Sequence, residues 1–273
     1  MFWSEQCVHF TLLIPSYTCD GVITMFYYVF RIIKIGLLWI DFIFLTTLLY
    51  LLSFLSKKLL SGFYPFLFRV WCKSFVRALG VDLKLNQKNL NKLPEQYILI
   101  ANHPSALEDV GVPALFDVYS LAKIEVKSWP IFGRISEAAG TLYVHRESKE
   151  SRAEAGQKIA NGLESGKSIA LYPEGGCKGR RIFESFRYGA FDISIQTGIP
   201  ILPVFLHYES QEDFEWAEPH TLIHKIWHFL TTKNNRATYY VYDALNPTDF
   251  SSKEEYMEHA HKLYLQWQAK YLE

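Results

Sequence analysis

Cysteine is scarce: Cys7, Cys19, Cys72 and Cys177 are the only four in 273 residues, and no two form a CxxC pair. So few, so scattered, exclude a disulfide scaffold and point to a reducing, cytosolic face. Charge of either sign is in no excess, with 28 basic and 28 acidic residues. A nucleic-acid partner would ask for a basic surplus, so none is expected. The chain has no internal repeat and no low-complexity tract. Its first 24 residues lack the charged, apolar and cleavage regions of a signal peptide. What the chain does have is apolar surface: 49% of residues are hydrophobic and 16% aromatic. Much of the aromatic content sits in the first third, which points toward lipid.

Ile35 to Leu55 reads IGLLWIDFIFLTTLLYLLSFL and carries one charge, Asp41. As a helix it would reach roughly 31 Å, close to the hydrocarbon thickness of a bilayer. Asp41 at mid-bilayer would cost about 3 kcal/mol on insertion scales, and less near an edge. Arg31 and Lys34 flank one end and Lys57 and Lys58 the other, so the flanks set no orientation. Pro65 to Leu79 places Arg69, Lys73 and Arg77 on one stripe among aromatic and aliphatic residues. Such a helix suits the headgroup boundary, and two arrangements follow: either Ile35–Leu55 spans the bilayer or, as favoured, it pairs with Pro65–Leu79 as a hairpin dipped into one leaflet. The organisation read from these runs is residues 1–24 as a poorly ordered lead-in, 25–80 as anchoring helices and 81–273 as the soluble domain. Met25 is the alternative start.

Beyond Leu79 apolar runs alternate with charged helical stretches. Strands are predicted at Tyr97–Ala101, Leu121–Val126, Thr141–His145, Ser168–Tyr172, Ile199–His207 and Ala237–Ala244. Helices are predicted at Ser105–Phe116, about Ile131–Ala139, Lys149–Glu164, Tyr188–Gln196 and Lys253–Tyr271. Alternation of this kind implies an α/β domain with a mostly parallel, mixed sheet flanked by helices.

His103 stands where the first of these strands gives way to a helix, and Glu108 follows one helical turn further on. A carboxylate there can take a hydrogen bond from one ring nitrogen and leave the other as a proton acceptor. Asp109 competes for that role. Ser105 and Glu108 also have the spacing of a capping box. Arg146 closes the third strand, and a guanidinium can fork onto a phosphate. Pro173-Glu174-Gly175-Gly176 is a turn whose glycines let backbone amides approach an anion. His220, His224 and His228 recur every four residues, but no acid or cysteine completes a metal set, so no metal is expected. Nothing beside Cys177 in sequence marks it as an activated thiolate.

Taken in order, these patterns resemble the PlsC-type glycerolipid acyltransferases, which include lysophosphatidate acyltransferases. Asn102, His103 and Glu108 occupy the family's Asn-His-x4-Asp/Glu block. Gly140-Thr141-Leu142-Tyr143-Val144-His145-Arg146 is similar to its Gly-x-Ile/Leu-Phe/Tyr-Val/Ile-x-Arg block. Tyr172-Pro173-Glu174-Gly175 keeps the start of Phe-Pro-Glu-Gly-Thr-Arg-Ser, while Gly176, Cys177 and Lys178 replace the rest. Phe186-Arg187-Tyr188-Gly189-Ala190 and Pro203 follow at the family's distances. The resemblance runs from about Leu93 to Phe205.

It implies a glycerol-3-phosphate acyltransferase-like fold behind an N-terminal membrane anchor, with the domain on the cytoplasmic face. His103 would be the general base and Glu108 its orienting acid. Asn102, Ser105, Arg146, Glu174, Gly175, Gly176, Lys178, Arg187 and Pro203 would bind substrate, with the amides around Gly175 and Gly176 as oxyanion donors. The implied partners are the bilayer, a lysolipid acceptor such as 1-acylglycerol-3-phosphate, and acyl-CoA or acyl carrier protein as co-substrate, with no resident cofactor. Two alternatives share the His-acid pair: a transferase for a lyso-aminolipid, and a thioesterase or lipase that uses water.

Overall fold

The structure, a computed structural model, describes residues 19–55, 59, 62–145, 148–217 and 219–272. The expected lead-in lies largely outside them. A first helix, α1 (Cys19–Leu52), already begins before Met25. Its Val29–Leu52 stretch is long and apolar enough to cross a membrane, and little of that window is buried by protein.

A second helix, α2 (Tyr64–Ala78), folds back along α1. Trp71 Nε1 donates to Thr46 Oγ1 at 2.8 Å, and the Phe42 and Phe75 rings stack 4.6 Å apart. Ser74 Oγ donates to Asp41 Oδ2 at 2.5 Å, so the lone charge of the apolar run is held by its neighbour helix. The hairpin expected from the sequence is therefore present, but the character assigned to α2 is corrected. Tyr64, Trp71, Cys72, Val76 and Ala78 are buried, and only its first turn shows a large exposed ring, Phe66. Of the basic stripe, Arg69 pairs with Asp117 at the head of a strand. The stripe is the solvated edge of a core helix.

Seven strands follow: β1 (Asp82–Gln87), β2 (Ile98–Ala101), β3 (Tyr119–Lys123), β4 (Leu142–Val144), β5 (Ile169–Leu171), β6 (Ile201–Tyr208) and β7 (Arg236–Val241). They form one sheet in the order β1-β7-β6-β2-β5-β3-β4. All pairs are parallel except β6 with β7. The mixed, mostly parallel sheet is as expected, and β1 is an addition at one edge. β3 stops at Lys123, and the residues expected to continue it form a short helix, α4 (Ile124–Lys127).

Further helices cover both faces: α3 (Glu108–Leu115), α5 (Phe132–Ala138), α6 (Lys149–Glu164), α7 (Gly189–Thr197), α8 (Gln211–Phe214), α9 (Leu222–Thr231) and α10 (Lys253–Tyr271). One apolar cluster joins α1, α2 and α3 to the sheet, and a second joins α6, α7 and α10 to its other face. The central strands are apolar along their whole length because both faces are covered. Pro203 sits within β6 opposite Ile100, in the middle of the sheet. Proline has no N–H for a ladder, and at this place the Tyr264 hydroxyl of α10 enters between β2 and β6. It accepts from the Val204 amide at 3.1 Å and lies within donating distance of the carbonyls of Ile100, at 2.8 Å, and Val204, at 3.1 Å.

Candidate active site

β2 and β5 are parallel neighbours in the middle of the sheet, and the loops leaving their carboxyl ends meet there. This is where open α/β sheets place their ligands. The first loop is anchored by Asn102, whose amide donates to the Leu206 carbonyl at 3.0 Å and accepts from the Leu206 amide at 2.7 Å. His103 follows, buried. Ser105 N–H donates to Glu108 Oε1 at 2.8 Å, while Ser105 Oγ accepts from the Leu107 amide. This is half of the expected capping box. The helix itself begins at Glu108, three residues later than its sequence suggested.

Glu108 is completely buried, and its other oxygen, Oε2, lies 3.8 Å from His103 Nδ1. That distance is too long for a hydrogen bond, and Oε2 has no hydrogen-bond partner among the described residues. Tyr172 lies flat under the imidazole, ring centres 4.2 Å apart. His103 Nε2 is 3.4 Å from Cys177 Sγ, and the thiol donates to the Ser105 carbonyl at 3.0 Å.

The second loop is held to the first by Glu174. Its Oε1 accepts from the His103 amide at 2.8 Å and its Oε2 from the Phe183 amide at 3.2 Å. Lys178 N–H donates to the His103 carbonyl. Gly175 has φ +79°, and the Arg187 side chain lies where a Cβ would stand, 2.1 Å away for Nε. Only glycine meets both conditions.

Burial alone would lower the His103 pKa. The contacts with Cys177 and Glu108 and the charges of Glu108 and Asp109 together outweigh it, and the imidazole titrates well above its usual range. Burial pushes the Glu174 carboxyl up to about 7, against the two amides that favour its charged form. Burial also raises the Cys177 thiol, so it rests as a neutral S–H.

Two recesses flank this centre. One is apolar, about 260 Å³, and lined by Phe75, Leu107, Val110, Trp129, Ile226 and Phe229 among others, with Asp109 at its wall. The other, about 190 Å³, lies beside Tyr172 and Gly175 and carries the cations Arg152 and Arg187.

Residues 84–207 match the acyltransferase family model, a span that contains every element of this centre. This stretch is an acyltransferase domain. Among curated relatives, the 1-acyl-sn-glycerol-3-phosphate acyltransferase of Neisseria gonorrhoeae is 26% identical over 147 residues, 54% of this chain and 57% of that one. The lyso-ornithine lipid O-acyltransferase of Pseudomonas aeruginosa is 29% identical over 141 residues, 51% of this chain and 53% of that one. The chain thus spans a little over half the length of the curated relatives it matches. The crystal structure of the 1-acyl-sn-glycerophosphate acyltransferase PlsC from Thermotoga maritima superposes with a TM-score of 0.57 at 20% identity. It covers 88% of this chain and 97% of that one, a likeness of fold.

Within the acyltransferase domain the structure brings together His103, Glu108, Glu174, Gly175 and Gly176. Of the two acids, Glu108 is the buried one facing His103, and Asp109, one position on, is exposed at the wall of the apolar recess. Arg146 lies outside the described residues. Four of the expected substrate contacts have other work. The Asn102 amide bonds Leu206 through both its nitrogen and its oxygen, Ser105 is buried in the loop, the Glu174 carboxylate holds two backbone amides, and Pro203 belongs to the sheet. Lys178 sets its ammonium 4.6 Å over the Phe183 ring. Gly175 cannot offer its amide to an oxyanion because that N–H donates to the Tyr172 carbonyl at 3.0 Å. Arg187 alone of the expected cations lines the second recess.

Sequence reasoning passed over Tyr172 and Cys177 as partners of His103. Cys177 has no sequence neighbour to mark it, yet the fold sets it against an imidazole. Among the described residues no three His, Cys, Asp or Glu side chains gather as a metal site.

Proposed function

We propose that the protein is an O-acyltransferase that moves a fatty acyl chain from a thioester donor, acyl-CoA or acyl carrier protein, to a lysolipid hydroxyl. The observation that carries this is a buried His103–Glu108 pair set between an apolar recess and a second one that carries Arg152 and Arg187 among apolar residues. Acyl chain and polar headgroup need those two surroundings on either side of the reacting atoms.

The acceptor hydroxyl takes the place beside Nε2 where the Cys177 thiol now sits. Nε2 removes its proton as the oxygen attacks the thioester carbonyl, and the resulting imidazolium gives that proton to the departing thiolate. Glu108 faces Nδ1, fixes the tautomer and stabilises the imidazolium. The Gly176 amide, which donates to no group among the described residues, is the oxyanion donor in this reading. Arg187 and Arg152 hold a phosphate headgroup, which makes 1-acylglycerol-3-phosphate the first acceptor to test. The anchor is α1 and the domain works at the cytosolic face.

A second acceptor class has its own support. Of the remaining loop cations, Arg180 is paired with Glu215 at 3.2 Å and Glu212 at 3.7 Å, and Gly176 and Cys177 carry no charge. A zwitterionic lyso-aminolipid would ask less of that loop.

The test is a panel: full chain, labelled acyl-CoA or acyl carrier protein, and lysophosphatidate, lyso-ornithine lipid or no acceptor. Preferred transfer to lysophosphatidate is expected. Preference for the aminolipid selects the second class, and equal acyl release without acceptor makes the protein a thioesterase. No reaction with any donor overturns the reading.

A further inference from the structure

Ser128-Trp129-Pro130-Ile131-Phe132-Gly133 turns the chain from α4 into α5. Ile131 has φ +64° and is the one non-glycine residue at positive φ among the described residues. A β-branched side chain is strongly disfavoured there and persists only where the surroundings enforce it. The turn is tight as well: a Cβ on Gly133 would collide with the Lys127 carbonyl oxygen, so the chain passes closely over itself here. The strained turn presents Trp129, Ile131 and Phe132 to solvent.

Helix α9 behaves in the same way from a distant part of the chain. Thr221 caps it, and Lys225 and Phe229 are buried on one face. The opposite face carries Ile223 and Trp227, four residues apart, 78% and 65% exposed. Trp129 and Phe132 of the turn, and Leu222, Ile226 and Phe229 of α9, border the same apolar recess. The exposed rings are thus the rim of a cavity.

The rim has a fixed relation to α1. Arg134 of α5 donates from Nε to Ser53 Oγ at 3.0 Å, and its guanidinium lies 3.7 Å from the centre of the Phe54 ring. Ser53 and Phe54 directly follow the apolar helix. An arginine and tryptophans at this level are the side chains that settle at a headgroup boundary.

We propose that the 128–133 turn and the outer face of α9 insert into that boundary as a membrane contact distinct from α1. This contact opens the apolar recess directly onto the leaflet, so an acyl chain passes from lipid to His103 without crossing water. The lipid occupant rests on the acyltransferase reading, and on continuity with α1.

The test uses the full chain with vesicles of four parts phosphatidylcholine to one of phosphatidylglycerol. Ile131, Ile223 and Trp227 do not line the recess, so Ile131→Gly and the double variant Ile223→Ser with Trp227→Ser leave it intact. Glycine also suits the positive φ, so Ile131→Gly is expected to fold at least as well. Transfer to a vesicle-borne lysolipid should fall on the order of tenfold in the double variant. Transfer between short-chain, monomeric substrates should change by no more than about twofold. Independently, a nitroxide on Ile223→Cys should be reached by lipid-soluble oxygen and shielded from an aqueous nickel chelate once vesicles are added.

A label that stays open to nickel, or one shielded from both reagents as beneath a protein partner, overturns the proposal. So does an equal loss on both substrate forms. An inactive wild-type protein would defeat the acyltransferase reading instead, and the nitroxide depth would still decide the membrane contact.

Discussion

Two loops, one after β2 and one after β5, each bury a carboxylate next to His103, and they use it in opposite ways. Glu174 gives both oxygens to backbone amides, one from each loop, and so works as a strut. Glu108 gives one oxygen to the Ser105 amide and leaves the other without a hydrogen bond, 3.8 Å from the imidazole. A buried charge left half-satisfied is costly, and proteins keep such a group mainly where something must respond to it. With Nε2 as the base, Nδ1 already carries a proton, so completing the Glu108 contact requires only a small approach of the ring, which the positive charge of the imidazolium formed during transfer would favour. Satisfaction marks the scaffold, and its absence marks the chemistry.

Substitution should separate the two roles. The largest effect is expected from removing what both loops hold. His103→Ala should lower turnover by on the order of a thousandfold with its melting temperature nearly unchanged. Near-normal transfer by a folded His103→Ala protein would remove the general base from the mechanism.

Glu108→Gln comes next, with a loss of on the order of a hundredfold and a distinctive pH profile. In the wild type, kcat/KM should rise with pH through a pKa above 6.5, because the base must be neutral and its pKa is raised. Loss of the Glu108 charge lowers that pKa, so the acid limb of Glu108→Gln should move to lower pH. An unmoved limb would mean that Glu108 only supports the loop.

Glu174→Gln should act on stability rather than on that limb. The folded protein holds the Glu174 proton up to about pH 7, against a usual 4.5. Its contribution is therefore full below pH 4.5 and is lost as pH rises through about 7. Melting temperatures at pH 5 and pH 8 should differ more in the wild type than in Glu174→Gln. The opposite order would mean the carboxylate is stabilised in its charged form. Smallest of all, Asp109→Asn should change initial rates by about twofold or less, since an exposed charge is screened. A crippling effect would reverse the assignment of the dyad.

What was readable in the sequence was local. His103 and Glu108 are five residues apart at a strand-to-helix junction; the helical repeat lets only one of the two adjacent acids face the histidine, and the family's spacing selects Glu108. The central strands were legible because burial on both faces makes them continuously apolar. β1 was missed because DLKLNQ is a half-exposed edge strand without that signal. α2 was misjudged because an amphipathic pattern reports one apolar face, not whether lipid or protein covers it. Glu174 and Asn102 look like substrate ligands in a motif, but their partners lie 71 and 104 residues away. Only the folded sheet reveals that those groups are already occupied.

The Tyr264 hydroxyl between β2 and β6 also bears on the order of events during synthesis. All seven strands precede α10 in the chain, yet the sheet is closed at Pro203, whose partner on the neighbouring strand, Ile100, lies three residues before His103, by a group from that last helix. While the ribosome is still short of α10, β2 and β6 can pair, but their seam beside the histidine loop stays unsealed. The centre is then assembled by the arrival of the final helix, and a chain released before it should carry every residue of the dyad without a settled place for them.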